Sequence, residues 1–128
     1  MNNQLKPVFE RLKGILKPYE PSLILKFDRE DMYYVDTPYV MKYNKQNLLF
    51  GSVVLDQHEV KFYLNPVILF PELLEDVSDA LKAKKVNTPY FSFTTIDEDL
   101  LAELEDLTQK GIEKFQREGA IRIIFRSS

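Results

Sequence analysis

The chain is 128 residues long, has no cysteine, and carries 17 Lys and Arg against 20 Asp and Glu, a formal net charge of −3. The missing thiols exclude disulfides, thiolate nucleophiles and cysteine-ligated zinc or iron–sulfur centres, and they agree with a reducing, cytoplasmic setting. Mild acidity without clustered Lys and Arg argues against nucleic acid as a partner.

At this length one domain with one core is expected, residues 1–128 folding together. The start, Met1-Asn2-Asn3-Gln4-Leu5-Lys6-Pro7, lacks a basic run followed by an apolar core, so no signal peptide is expected. The longest apolar stretch, Pro66 to Pro71, is too short to span a bilayer, and no membrane partner is expected.

Leu5, Val8, Phe9, Leu12, Ile15 and Leu16 recur at helical spacing, with Asn2 or Asn3 as the cap and Pro7 tolerated in the first turn. Pro18 and Pro21 end that helix. Five strand-like runs follow: Leu23 to Phe27, Met32 to Val35, Tyr39 to Tyr43, Leu48 to Leu55 and Glu59 to Leu64. Leu23, Leu25 and Phe27 share one face, as do Val60, Phe62 and Leu64. The run Leu48 to Leu55 is apolar on both faces and reads as a central strand. Asn44 to Asn47 and Asp56-Gln57 read as hairpin turns, and such short links favour antiparallel neighbours.

Pro71 opens a second helix with Leu73, Leu74, Val77 and Leu81 inward. Asn87-Thr88-Pro89 breaks it, and Tyr90 to Thr94 reads as a short strand. Thr95-Ile96-Asp97-Glu98 has the form of a capping box ahead of a third helix, about Asp97 to Arg117. Leu100, Leu101, Leu104, Leu107, Gly111, Ile112 and Phe115 form its apolar stripe, and Gly119 stops it. Ile121, Ile123 and Phe125 suggest a last edge strand or ordered tail. The predicted class is α+β: a mainly antiparallel sheet of about five to six strands with three helices packed against one face.

Few residues offer chemistry. His58 is the only histidine, so a His-rich metal site is excluded, and the four glycines form no phosphate loop or nucleophile elbow. Glu72, Glu75, Asp76 and Asp79 fall at i, i+3, i+4 and i+7 of the second helix. Asp99, Glu103 and Asp106 form a similar row on the third. Carboxylate rows hold hard cations weakly, but acids near helix starts and Lys82, Lys84, Lys85, Lys110, Lys114 and Arg117 near helix ends also fit the macrodipole. Tyr33, Tyr34, Tyr39, Tyr43 and Tyr63 gather among the strands, where they either line a binding surface or pair across the sheet.

The order of motifs resembles the YdhG-like family. The resemblance rests on Leu5 to Lys13, Leu16-Lys17-Pro18-Tyr19, Phe50-Gly51-Ser52-Val53, His58 to Pro66, Pro71-Glu72-Leu73, Phe91-Ser92-Phe93, Asp97 to Leu101 and Lys110-Gly111. It implies a compact α+β domain without established enzyme activity, with some members described as frataxin-like iron chaperones. The leading expectation is a non-enzymatic binding or interaction module. It would use Tyr34, Tyr39, Tyr43, His58 and Tyr63 and take an unidentified protein or small molecule, without a cofactor. The alternative is an intracellular iron-binding chaperone holding iron weakly through Glu72, Glu75, Asp76 and Asp79.

Overall fold

The computed structural model describes residues 4–42, 44–87 and 90–117. Helix α1 is Lys6–Leu16, followed by a 3-10 segment, Lys17–Ser22. Strands β1, Ile24–Asp28, β2, Met32–Val40, β3, Asn47–Leu55, and β4, Val60–Leu64, come next. Helix α2, Pro66–Leu69, a 3-10 turn, Pro71–Leu74, and helix α3, Asp79–Lys82, lead into β5, Lys85–Asn87, and β6, Tyr90–Phe93. Helix α4, Glu98–Arg117, closes the described chain. The six strands form one antiparallel sheet in the order β1-β2-β3-β4-β6-β5, so the α+β expectation holds, with four short or long α-helices instead of three. Among the described residues, no helix is long and apolar enough to cross a membrane.

One sheet face and two helix stripes make the core. The register pairs Tyr33 with Val53 and Phe62, Val35 with Gly51 and Leu64, and Phe62 with Phe91, all on the same side and all buried. Helix α1 lies on this side: a Cβ added to Gly51 would stand 3.2 Å from a methyl of Leu16 and 3.0 Å from the carbonyl of Tyr63. Glycine is therefore what lets the helix approach the sheet here. Val8, Phe9, Leu12, Ile15 and Leu16 of α1 and the predicted stripe of α4 are buried against it. Arg11 joins the two helices, donating to Glu98 at 2.8 Å and Glu105 at 3.1 Å.

Two register irregularities shape β2 and β3. Val35 faces Gly51 but Asp36 faces Leu49, which leaves Phe50 as the extra residue of a bulge. A bulge re-aims a side chain, and Phe50 is fully buried edge-on to Phe115 of α4, centroids 5.8 Å apart. Further along, pairing steps from Asp36–Leu49 to Val40–Asn47 around Pro38, which has no N–H to give. Side chains fill that gap. The Thr37 hydroxyl donates to the Leu48 carbonyl at 2.9 Å, and the Asn47 amide donates to the Thr37 carbonyl at 3.0 Å. The predicted run Met32 to Val35 thus continues through Val40 as one strand, which takes in Tyr39 and Val40 of the second predicted run; Met41 and Lys42 lie beyond the strand, and Tyr43 is outside the described residues.

The expected second helix is not continuous. Phe70 (φ −131°, ψ 75°) separates α2 from the 3-10 turn, and Ser78 (ψ 156°) is extended. Ser78 donates its N–H to Glu103 at 3.0 Å, its hydroxyl also bonds Glu103, and its oxygen accepts from Leu81 N–H, capping α3. The cap of α4 is Asp97, whose carboxylate accepts from Asp99 and Leu100 N–H, in place of the predicted Thr95. The three-residue β5 had no expected counterpart. The proposed caps Asn2 and Asn3, Gly119 and the strand Ile121 to Phe125 lie outside the described residues.

Candidate functional site

The face of the sheet opposite the helices is where the tyrosines assemble. Backbone register sets Phe27 against Tyr34, Tyr34 against Ser52, Ser52 against Tyr63, and Tyr63 against Tyr90. Residues that pair across antiparallel strands share a face, so five strands contribute to one transverse row of four aromatic rings around Ser52. Phe27 and Tyr34 meet edge-to-face at 5.6 Å and 88°. Tyr34, Tyr63 and Tyr90 are half-buried, and Ser52 is buried between its neighbours. A second row on the same face runs Met32, Val54, Lys61, Ser92.

The row is held in place at several points. The Tyr63 hydroxyl donates to Asn65 at 3.4 Å, and Asn65 donates to the Leu49 carbonyl at 2.7 Å. Burial pushes the Tyr63 phenol above its ordinary value, so the hydroxyl is a neutral donor and acceptor at physiological pH. Cations stand over both ends: Arg29 at 5.1 Å and Lys26 at 5.8 Å from the Phe27 ring, and Lys61 at 5.1 Å from the Tyr90 ring. Lys61 also lies 3.5 Å from Asp56, and Ser92 bonds Glu59.

Tyr33 shows the opposite use of the same residue type. It points into the core, donates to Glu20 at 2.6 Å, and has its phenol pushed strongly up by burial and then by that carboxylate.

Of the expected site residues, the fold brings Tyr34 and Tyr63 into one row. Tyr39 sits five residues beyond Tyr34 on β2, about 16 Å along the strand, and is half-buried beside Thr37. Tyr43 lies outside the described residues. His58 is exposed in the β3–β4 turn, where its N–H and that of Glu59 bond the Asp56 carboxylate at 2.8 and 2.9 Å. It lies in the turn before β4, outside the paired strands that carry the row, and does not join it.

The acidic stripe is also redistributed. Glu72 belongs to the 3-10 turn and lies 3.6 Å from Lys114; Glu75 and Asp76 follow that turn, and Asp79 opens α3. The break at Ser78 removes the helical periodicity that aligned these four residues, and all four are exposed. On α4, Glu103 is engaged by Ser78, whose hydroxyl and N–H hold its carboxyl below the ordinary range, and Asp106 lies 2.9 Å from Lys110. Among the described residues, no three His, Asp or Glu side chains converge as a metal site.

Phe27 and Tyr90 complete the row and were not expected in it. For Tyr90 the signal in the sequence is an aromatic on the polar side of an alternating strand, beside Phe91 and Phe93; Phe27 alternates with Leu23 and Leu25 in the sequence and reaches this face only through the register shift between Leu25 and Phe27. Comparison with family models, with curated proteins and with solved structures returned no match.

Proposed function

We propose that this chain is a non-enzymatic interaction module that docks a protein partner on the tyrosine-bearing face of its sheet. The observation that carries the reading is the transverse row Phe27, Tyr34, Ser52, Tyr63, Tyr90. Half-buried tyrosines supply large contact area at little entropic cost and keep a polar tip for hydrogen bonding, which suits interface cores. Lys26, Arg29 and Lys61 bracket the row, so the favoured partner surface is apolar with acidic groups at its margins. The reading is compatible with the resemblance to the YdhG-like family, which implies a compact α+β domain without established enzyme activity.

The test places a photo-crosslinking amino acid at position 34 or 90, or at the exposed α4 position Gln109, in cells that express the full chain. The reading predicts one discrete adduct from positions 34 and 90, and none from 109. No adduct from the sheet face, or equal adducts from all three, contradicts it.

A further inference from the structure

The tyrosine row has a symmetry of its own. Ser52 stands at its middle, on the central strand β3, with Tyr34 and Phe27 to one side and Tyr63 and Tyr90 to the other. Adjacent strands lie about 4.8 Å apart, so ring-bearing strands stand at about 5 Å and about 10 Å on each side of Ser52. A two-fold rotation about an axis along β3, lying in the plane above the face, turns a second copy over and lays its row on the first in reverse order. Phe27 then meets Tyr90, Tyr34 meets Tyr63, and Ser52 meets Ser52. Tyrosine facing tyrosine is self-complementary, because a phenol both donates and accepts.

The charges are arranged as that rotation requires. The neighbouring row on the same face starts at Arg29, whose N–H bonds the Met32 carbonyl at 2.7 Å, and continues through Met32, Val54, Lys61 and Ser92. Its β1 end is cationic, with Arg29 and Lys26 over the Phe27 ring. Its β6 end holds carboxylates: Ser92 bonds Glu59, and Asp56 lies 3.5 Å from Lys61. The rotation sets Arg29 of each copy against Ser92 and Glu59 of the other, a cation on a carboxylate at both ends of the interface. Lys61, already paired with Asp56, falls opposite Met32. An axis along the row instead would lay β1 on β1 and bring the Arg29 and Lys26 cations of both copies together.

We propose that the docking partner of this face is a second copy of the chain, seated by a two-fold axis along β3 through Ser52. The assignment rests on the reading of this face as a docking surface. The favoured partner surface, apolar with acidic groups at its margin, is one that this chain itself presents. The five strands span about 24 Å and five paired residues about 17 Å, roughly 400 Å² in each copy. That is at the small end of specific interfaces, so a weak and reversible dimer is expected.

The test irradiates the purified full chain carrying a photo-crosslinking amino acid at position 90 and maps the adducts by mass spectrometry. An adduct of twice the chain mass is expected, joining position 90 to β1 around Phe27, with a yield that rises with protein concentration. From position 34 the expected adduct joins β4 around Tyr63. Sedimentation of chains without the crosslinker supplies the second readout. Arg29→Glu and Glu59→Arg are each expected to weaken self-association at least tenfold, and the double variant Arg29→Glu/Glu59→Arg to restore it, which a loss of folding would not do. A purified chain that stays monomeric, an adduct joining position 90 to another part of the second copy, or a double variant no better than the single ones overturns the proposal. A monomer that still gives an adduct with a different protein in cells overturns the second copy alone; a monomer that gives none overturns the docking surface as well.

Discussion

Tyr33 and Tyr34 are adjacent in sequence and lie on opposite faces of one sheet. Tyr33 is fully buried, hydrogen-bonded to Glu20 and packed among Val53 and Phe62; Tyr34 is half-buried in an aromatic row flanked by cations. The contrast extends to the whole sheet. Along β4, Val60, Phe62 and Leu64 are buried, and Lys61 and Tyr63 between them are not. One face therefore supplies the apolar burial that drives folding. The other carries four aligned aromatic rings, three of them half-buried tyrosines, and is the face on which the proposed docking surface rests.

The sharpest way to break this comparison is the pair of neighbouring tyrosines. Tyr33→Ala is expected to lose about 3–5 kcal/mol, the usual range for truncating a buried aromatic, and it leaves Glu20 without its donor. Tyr34→Ala is expected to lose about 1 kcal/mol or less, the scale of one cross-strand pair. Urea unfolding of both variants measures the difference, and similar losses would erase the distinction between the faces.

Gly51→Ala tests the core face from its tightest point. The new methyl meets the Tyr63 carbonyl at 3.0 Å, which is backbone and does not yield as a flexible side chain would. A loss of about 1–3 kcal/mol is expected from overpacking, read in the same unfolding experiment.

Asp36→Asn carries a small effect of the opposite sign. The folded carboxyl sits above its unfolded value because of burial, so the folded state binds the proton more tightly. Its contribution favours folding at low pH and fades as pH rises from the ordinary carboxylate value of 3.8 through the folded value. Replacing it by Asn removes that decline, and a gain of about 1 kcal/mol at neutral pH is expected. Asp28 behaves inversely. A hydrogen bond from Lys13 at 2.5 Å holds its carboxyl below the ordinary value, so its stabilisation is present at neutral pH and lost on acidification through the folded value. Thermal unfolding of Asp36→Asn and wild type across pH 3 to 7 separates the two.

The α+β class, the central position of β3 and the buried stripe of α4 were legible because each rests on long periodic runs such as Leu100, Leu104, Leu107 and Phe115. Phe27 broke the alternation expected of β1: the step from Leu25–Val35 to Phe27–Tyr34 leaves Lys26 as an extra residue and turns Phe27 to the face opposite Leu25, while Leu25 stays exposed because an edge strand buries less than a central one. The helix expected from Pro71 failed because Ser78 is captured by Glu103, a contact 25 residues away that local spacing does not register. Tyr34 and Tyr63 were identified as candidates by residue type alone. That they share a row, and that His58 and Tyr39 do not, depends on strand register, which is set by the bulge at Phe50 and the interruption at Pro38. Asp36 gave no signal, because its burial arises from its neighbours across the sheet.

The division of labour between the two faces is tested most directly by crosslinking from position 90 in the double variant Tyr34→Ala/Tyr63→Ala, with folding confirmed by urea unfolding on the same preparation. The account predicts a folded protein, destabilised by no more than about 2 kcal/mol, whose adduct yield falls at least tenfold. A retained adduct, or a chain that no longer folds, would contradict the assignment of this face to binding rather than to stability.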